Sequence, residues 1–315
     1  MDKGARVHFH AESGLIIDKE GSFQINGEVS GTEALENEVI FEGDRLEPGF
    51  ADVAGQWGAV ISLSETNTNI INHLTLKNAT IGLLLQRVDP TTSGSPKLTI
   101  NNSQIYNCLA FGILGQKAQI TSENLVANYC GTASVALTLG GDSHFKHATI
   151  ANYFNAFNQV PLLINNYADI GDTRFVTSAA ATFENCVIYG SNNISLSLER
   201  IDPEDPSVTF NATFNNCLIK LYDTTNQLED NELYPFDENQ PALATYNAKT
   251  MELLAENSGD AKPDFADPAD NDLHLGEDSA EIQNAGLNLG VTVDVEGRPR
   301  DNEPDLGAYE YVPAD

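Results

Sequence analysis

Ile71-Asn72-His73-Leu74-Thr75-Leu76-Lys77-Asn78 and Ile100-Asn101-Asn102-Ser103-Gln104-Ile105-Tyr106-Asn107 are two copies of one pattern. An apolar residue is followed by any residue, an amide or imidazole, two further residues, a second apolar residue, any residue and Asn. The pattern returns as Phe145-Lys146-His147-Ala148-Thr149-Ile150-Ala151-Asn152. It recurs without the last Asn from Phe183 to Gly190 and from Phe214 to Leu221, and a looser copy runs through Val126 and Asn128. Irregular self-similarity at roughly 20–40 residues, rich in short β-type runs, predicts a parallel β-solenoid.

Working outward from the repeat, Leu76, Ile105, Val126, Ile150, Ile188 and Ile219 are expected to share one inward slot and form an apolar stack. Asn78, Asn107, Asn128 and Asn152 close their strands, where a turn with left-handed backbone suits Asn, and their amides are expected to stack as a ladder. Cys186 and Cys217 occupy one slot, so they are expected in successive coils about 4.8 Å apart, as buried thiols or a disulfide. Cys108 and Cys130 pair in the same fashion. No CxxC spacing is present to hold zinc.

The chain has 315 residues, 41% of them hydrophobic, and a formal charge of −30 from 46 acidic and 16 basic residues. A solenoid grows by adding coils, so residues 1–222 read as coils of one domain. Residues 223–262, acidic and poor in β-branched residues, read as an insertion and linker with a short helix around Leu243–Glu256, and 263–315 as a last coil and cap. The negative charge disfavours nucleic acid, anionic membranes and anionic polysaccharides. No apolar run reaches the roughly 18 residues of a membrane span. No signal peptide is legible at Met1, so further sequence upstream is expected.

His8 and His10 share a strand face but have no third ligand nearby, and His144 and His147, three apart, fall on opposite faces. No metal or other cofactor is expected. The stretch Gly43–Gly58 reads as a long loop whose Trp57 either folds over an edge of the solenoid or offers a sugar-stacking platform. Leu85-Gln86-Arg87-Val88-Asp89-Pro90 and Leu198-Glu199-Arg200-Ile201-Asp202-Pro203 are similar turns. With about 19 Å of stacking between them, their aspartates do not make a glycosidase pair. Asn155–Ala181 reads as the longest excursion, and long loops on rigid scaffolds commonly carry binding. Trp57, Tyr167 and Arg174 are therefore the candidate ligand contacts. No catalytic set is legible, and Asp267–Asp272 lacks the glycine and closing Glu of a calcium loop.

Pro263-Asp264-Phe265, Asp272-Leu273-His274-Leu275, Gly297-Arg298-Pro299-Arg300 and Pro304-Asp305-Leu306-Gly307-Ala308-Tyr309-Glu310 resemble the C-terminal signature of secreted right-handed parallel β-helix proteins. Glu281 to Gly286 departs from it, since the usual Asp is missing. His8-Phe9-His10, Gly43-Asp44-Arg45-Leu46-Glu47, Gly55-Gln56-Trp57-Gly58 and Lys77-Asn78-Ala79 are similar to a narrower group, β-helix lipoproteins of Bacteroidota. The resemblance implies an all-β, right-handed parallel β-helix with long loops and a C-terminal capping segment. It also implies an extracellular or outer-membrane surface location, with a lipid anchor upstream. The expected function is non-catalytic binding of a polysaccharide or surface protein by a monomer. A polysaccharide lyase or glycoside hydrolase is the first alternative and a passive surface scaffold the second.

Overall fold

The computed structural model describes residues 1–32, 34–86, 94–202, 205–223, 225–228, 231–234, 244–247, 263–279 and 282–313. Its strands recur in threes, each paired in parallel with the strand one coil earlier, so the chain winds a curled parallel sheet with three faces. The first face runs from Arg6–Phe9 through Val39–Gly43 and Leu74–Lys77 to Thr149–Asn152, Val187–Gly190 and Leu218–Ile219. The second runs from Leu15–Ile17 through Trp57–Ser62 and Ala79–Leu85 to Val160–Asn165 and Leu196–Glu199. The third runs from Gln24–Asn26 through Thr68–Asn72 to Ala179–Glu184, Phe210–Asn215 and Ala244–Asn247. The long strands Lys97–Cys108, Phe111–Cys130 and Ala133–Lys146 turn corners between faces without a break.

The inward register follows the repeat. Leu76, Ile105, Ile150, Ile188 and Ile219 are fully buried at one ladder position. Ala127, not Val126, fills that slot in its own coil, and Val126 points outward into a second buried cluster. On the third face Ile71, Ile100, Phe145, Phe183 and Phe214 share a position. The three phenyl rings stack nearly parallel with centroids 5.0 and 5.2 Å apart, a contact geometry worth roughly 0.5–1.5 kcal/mol per pair beyond burial. Cys108 lies beside Cys130, and Cys186 beside Cys217 one coil on, all four as buried free thiols. Burial and the neighbouring thiol raise the Cys217 pKa well above its ordinary value, which removes thiolate character.

The corner between the third and first faces shows where left-handed backbone is needed. His73, Asn102, Asn124, His147, Asn185 and Asn216 all have φ between 48° and 55° there. Asn tolerates this conformation better than other side-chain-bearing residues. The amide ladder stands at this slot and not at the strand ends. Asn124 donates to Asn102 (2.8 Å), Asn216 to Asn185 (2.9 Å) and Asn185 to His147 Nε2 (2.9 Å). Of the four strand-end residues, Asn78 and Asn107 are left-handed, whereas Tyr129 takes the place expected for Asn128 and Asn152 has no positive φ. Asn128 and Asn152 instead hydrogen-bond local backbone and the C-terminal segment.

His147 gives this corner a pH dependence. Burial first, then the Arg300 guanidinium, lowers its pKa to about 3. An unfolded imidazole titrates near 6.5, so between these values the unfolded chain binds the extra proton and acidification destabilises the fold. The loss should reach about 2 kcal/mol by pH 5, since each unit is worth ~1.4 kcal/mol. His274 works in the opposite direction, because hydrogen bonds to Glu296 and Asp272 raise its pKa. A comparison between variants therefore isolates His147. Denaturant unfolding of His147→Asn, which keeps an amide at the corner, should lose about 2 kcal/mol less than wild type between pH 7.5 and 5. Parallel pH profiles would refute the assignment.

The C-terminal segment does not close the end of the coil stack. Residues 263–279 and 282–311 lie along the outside of the first face, where Leu273, Val295, Leu306 and Tyr309 pack on Val126, Val187 and Leu218. Asn124, Asn185 and Asn216 donate to the carbonyls of Val293, Leu287 and Ala285, so the corner amides tie this strap down. Gly307 has φ 87°, and a Cβ there would stand 2.6 Å from Thr149 Oγ1, so the close approach requires glycine.

Two other expectations change. Asn155–Ala181 is not one long loop: it contains the second-face strand Val160–Asn165 and an antiparallel hairpin, Tyr167–Ile170 with Thr173–Val176. Ala244–Asn247 is a strand continuing the third face, so no helix begins there. The rest of the expected helix lies outside the described residues, as do Arg87 to Pro90 of the first Asp-Pro turn. In the second, Arg200 pairs with Asp202 at 2.7 Å.

Candidate functional site

Three surface groupings carry the chemistry of the described residues. Near the N-terminus His10 meets Asp44 at 2.7 Å, and Lys77 meets Glu42 at 3.2 Å. The residues around them pack the loop: the Arg45 guanidinium lies 3.3 Å from the centre of the Phe50 ring, and Gln56 donates to the carbonyls of Phe50 and Val53. Trp57 is 1% exposed, its indole stacked on Phe9 at 4.1 Å and its Nε1 donating to the Lys77 carbonyl. It has no free face for a sugar, which corrects its assignment as a ligand contact.

On the outward side of the third face, His144 meets Glu184 at 2.6 Å and Lys146 meets Glu123 at 3.3 Å, across adjacent coils. These groups lie on an open sheet surface, and each already has a partner of opposite character. Among the described residues, no group of three or more His, Cys, Asp or Glu is placed to hold a metal ion.

The third grouping is a groove of about 780 Å³ at the late-coil end of the second face. Its floor is Leu163 and Ser197, outward residues of adjacent strands. One wall is the loop leading from the first face into Val160–Asn165, where Phe157 is 96% exposed. The opposite wall comes from residues 191–194 together with Tyr222, Asp223, Thr225 and Gln227. These walls are fixed by the backbone. Ser191 N donates to the Asn152 carbonyl, Tyr222 N to Asn193, and the half-buried Lys220 ammonium to Gly190 (2.8 Å).

Amides dominate the polar lining. Gln159, 3% exposed, donates to Ser191 Oγ at 2.9 Å, while its Oε1 has no hydrogen-bond partner among the described residues. Asn192 donates to the main-chain carbonyl of Gln159 at 2.7 Å, which fixes its amide against that wall. Two carboxylates also line the groove, and both are engaged. Glu199 accepts from Tyr167 Oη at 2.7 Å, which raises the phenol pKa. Desolvation opposes ionisation of Asp223, but the N–H groups of Leu228, Gln227 and Thr225 outweigh it and hold the pKa below its ordinary value. An acid catalyst would need the reverse shift.

Tyr167 thus lies behind the groove, positioning Glu199, and is not among the lining residues. Arg174 makes two hydrogen bonds to Asp169 (2.6 and 2.8 Å) and sits 5.3 Å from the Tyr167 ring centre. The structure therefore links Tyr167 and Arg174 to each other and keeps Trp57 apart in an early coil. Phe157, Gln159 and Asn192 were missed by sequence reading. Their available signal was an aromatic residue flanked by amides, Asn155-Ala156-Phe157-Asn158-Gln159, but nothing in it distinguishes an exposed ring from a buried one.

No protein-family model matches the chain, and no curated protein sequence matches it. Among solved structures, a pectate lyase, Pel9A, aligns at 13% identity with a TM-score of 0.32, covering 99% of this chain and 89% of that one. At that score the likeness carries no argument about activity. Among the described residues no helix is long and apolar enough to cross a membrane.

Proposed function

We propose that this chain is a right-handed parallel β-helix protein of the extracellular or outer-membrane surface that binds an uncharged glycan without cleaving it. The observation that carries the reading is the groove itself, lined by the exposed Phe157 ring together with the exposed amides of Asn158, Asn193 and Gln227. Sugar rings present C–H faces that pack on an aromatic ring and hydroxyls that pair with amides, and this lining supplies both kinds of contact. The charged groups lining the groove are Glu199 and Asp223, both acidic, so a uronate chain would meet repulsion there. The N-terminal and C-terminal resemblances support the surface location and the upstream lipid anchor.

The test is a panel of neutral and uronate polysaccharides assayed together for binding and for released reducing ends or unsaturated uronides. Binding of a neutral glycan is expected, with no product released. Phe157→Ala should weaken that binding at least about tenfold, the equivalent of ~1.4 kcal/mol of lost contact. Because Phe157 is exposed, the variant should keep the wild-type melting temperature. Binding indifferent to Phe157→Ala would refute the site. Product release abolished by Glu199→Gln would establish the hydrolase or lyase alternative.

A further inference from the structure

The C-terminal strap holds the first face with two arms. One is the antiparallel hairpin of Phe265–Asp267 and Asp272–Leu275, and the other is the turn from Asp294 to Arg298. Both reach the buried cluster on that face, the hairpin through Phe265, Leu273 and Leu275 and the turn through Val295. An imidazole bridges their polar rims. His274 Nδ1 meets Asp272 Oδ1 at 2.5 Å, and Nε2 meets Glu296 Oε1 at 2.9 Å.

A carboxylate oxygen only accepts, so both ring nitrogens must donate, and only the imidazolium carries two N–H groups. A neutral ring can serve one carboxylate. Asp272 keeps its bond, because the same Oδ1 also accepts the His274 backbone N–H at 3.2 Å. The Nε2 lone pair then faces Glu296, and the link between the arms becomes a repulsion. We infer that His274 is a proton-operated clasp of the strap. As imidazolium it holds the hairpin to the Asp294–Arg298 turn, and on losing a proton it lets the hairpin loosen from the first face.

The surrounding charges favour this behaviour. The hairpin contributes Asp267, Asp270 and Asp272, and the turn contributes Asp294, Glu296 and Arg298. From the coils comes Glu38, hydrogen-bonded to Thr75 at 2.6 Å, with the charges of Arg6 and Glu36 acting on it. The closing segment brings Tyr309, whose ring lies 4.5 Å from the imidazole, and Glu310, which pairs with Arg300. Arg298 holds Glu296 Oε2 at 2.7 Å whatever the state of the ring, so that carboxylate stays in place to meet the lone pair. The Glu296 hydrogen bond first, and the Asp272 bond with it, raise the His274 pKa against the opposing effect of burial. A loosened hairpin returns the ring to about 6.5, so the closed arms hold the proton more tightly. The clasp is therefore complete below about pH 6.5 and is lost as pH rises through the raised value. Tyr309 stays a neutral phenol there, since burial pushes its pKa well above the ordinary value, and His147 is already neutral.

NMR of the full chain reads the ring, and hydrogen exchange reads the hairpin. His274 should show two ring N–H groups at pH 6.5 and a titration midpoint above the ordinary 6.5. Between pH 6.5 and 9 the protection of Asp272–Leu275 should fall about fivefold relative to Lys97–Cys108, the size of a half-exposed ion pair. In Glu296→Gln the amide can donate to the neutral ring, so the protection ratio should stay flat over that range and the midpoint should move toward 6.5. Should this variant fail to fold, His274→Gln removes the titrating ring and should also be flat. A wild-type midpoint at or below 6.5, a ratio that does not fall, or a fall that persists in the variant would each overturn the inference.

Discussion

Trp57→Ala is expected to cost about 3–5 kcal/mol of stability, the range for emptying a large buried aromatic site. The indole is the hub of the second coil. It stacks on Phe9, which meets Phe41 edge to face at 5.5 Å, and its Nε1 satisfies the Lys77 carbonyl. The surrounding sequence exists to admit it: the Gln56 side chain crosses directly over Gly43 and leaves no room for a Cβ. Truncation opens a cavity lined by two phenyl rings and removes the donor to a carbonyl beneath the loop. Trp57→Phe should cost less, mainly the lost hydrogen bond at ~1–2 kcal/mol plus the volume difference. Calorimetric melting checks the order. The Phe157 groove lies four coils away, about 19 Å along the stack, so glycan binding by Trp57→Ala below its melting temperature should equal wild type. A loss of binding with no loss of stability would return Trp57 to the ligand contacts.

The repeat was legible because inward slots recur at fixed offsets within each copy, whatever the loops between them do. That places Leu76, Ile105, Ile150, Ile188 and Ile219 in one column and the two cysteine pairs in register. It failed at Val126 because Asn128 mimics the closing Asn of the pattern, whereas the register is set by Asn124 opposite Asn102, and a shift of one residue turns a side chain to the other face. The left-handed corner was assigned to the wrong Asn because strand ends and corners draw on the same residues. Asn78 and Asn102 are both left-handed, and only their hydrogen bonds separate them, Asn102 in the ladder and Asn78 on the carbonyls of Ala51 and Val53; the dihedrals show that Tyr129 and not Asn128 is left-handed.

The groove was less legible. Its walls come from loops distant in sequence, joined by contacts such as Tyr222 N to the Asn193 carbonyl and Asn192 to the Gln159 carbonyl. The C-terminal strap was hidden for a related reason. Its motif is recognisable, but the first face it covers alternates Val126, Thr149 and Val187 with core positions, and those read equally well as solvent-facing residues.

Arg300 explains why the C-terminal motif has its composition, and Arg300→Met should release the strap. The guanidinium is fully buried and donates to Glu310, to the carbonyls of Asp305 and Gly307 (2.9 Å), and to Asn124 Oδ1 (3.0 Å). It enters the corner beside Asn124, joining the amide column to the strap. Asp305 accepts from the backbone N–H groups of Asn284 and Tyr311, and Asp294 from those of Glu296, Arg298 and Glu310, so the motif's carboxylates satisfy its backbone while Arg300 supplies the buried cation and Arg298 a more exposed one. Removing the Arg300 cation leaves Glu310 largely buried and uncompensated, a loss of roughly 3–5 kcal/mol. The strap can open as a unit while the coils persist. Hydrogen exchange should therefore accelerate across 282–311 but not across Lys97–Cys108, and a hydrophobic dye should bind the exposed first face. Burial already raises the Glu310 pKa, and without Arg300 the folded carboxyl binds its proton more tightly still. The folded state then holds more protons than the unfolded, so the deficit should shrink as pH falls from 7.5 toward 5. Loss of Arg300 also relieves the cationic field on His147, which acts in the same direction. Arg300→Met/Glu310→Gln should accordingly be more stable than Arg300→Met alone at neutral pH. Equal stability of the two variants would show that packing, not the unpaired carboxylate, sets the cost.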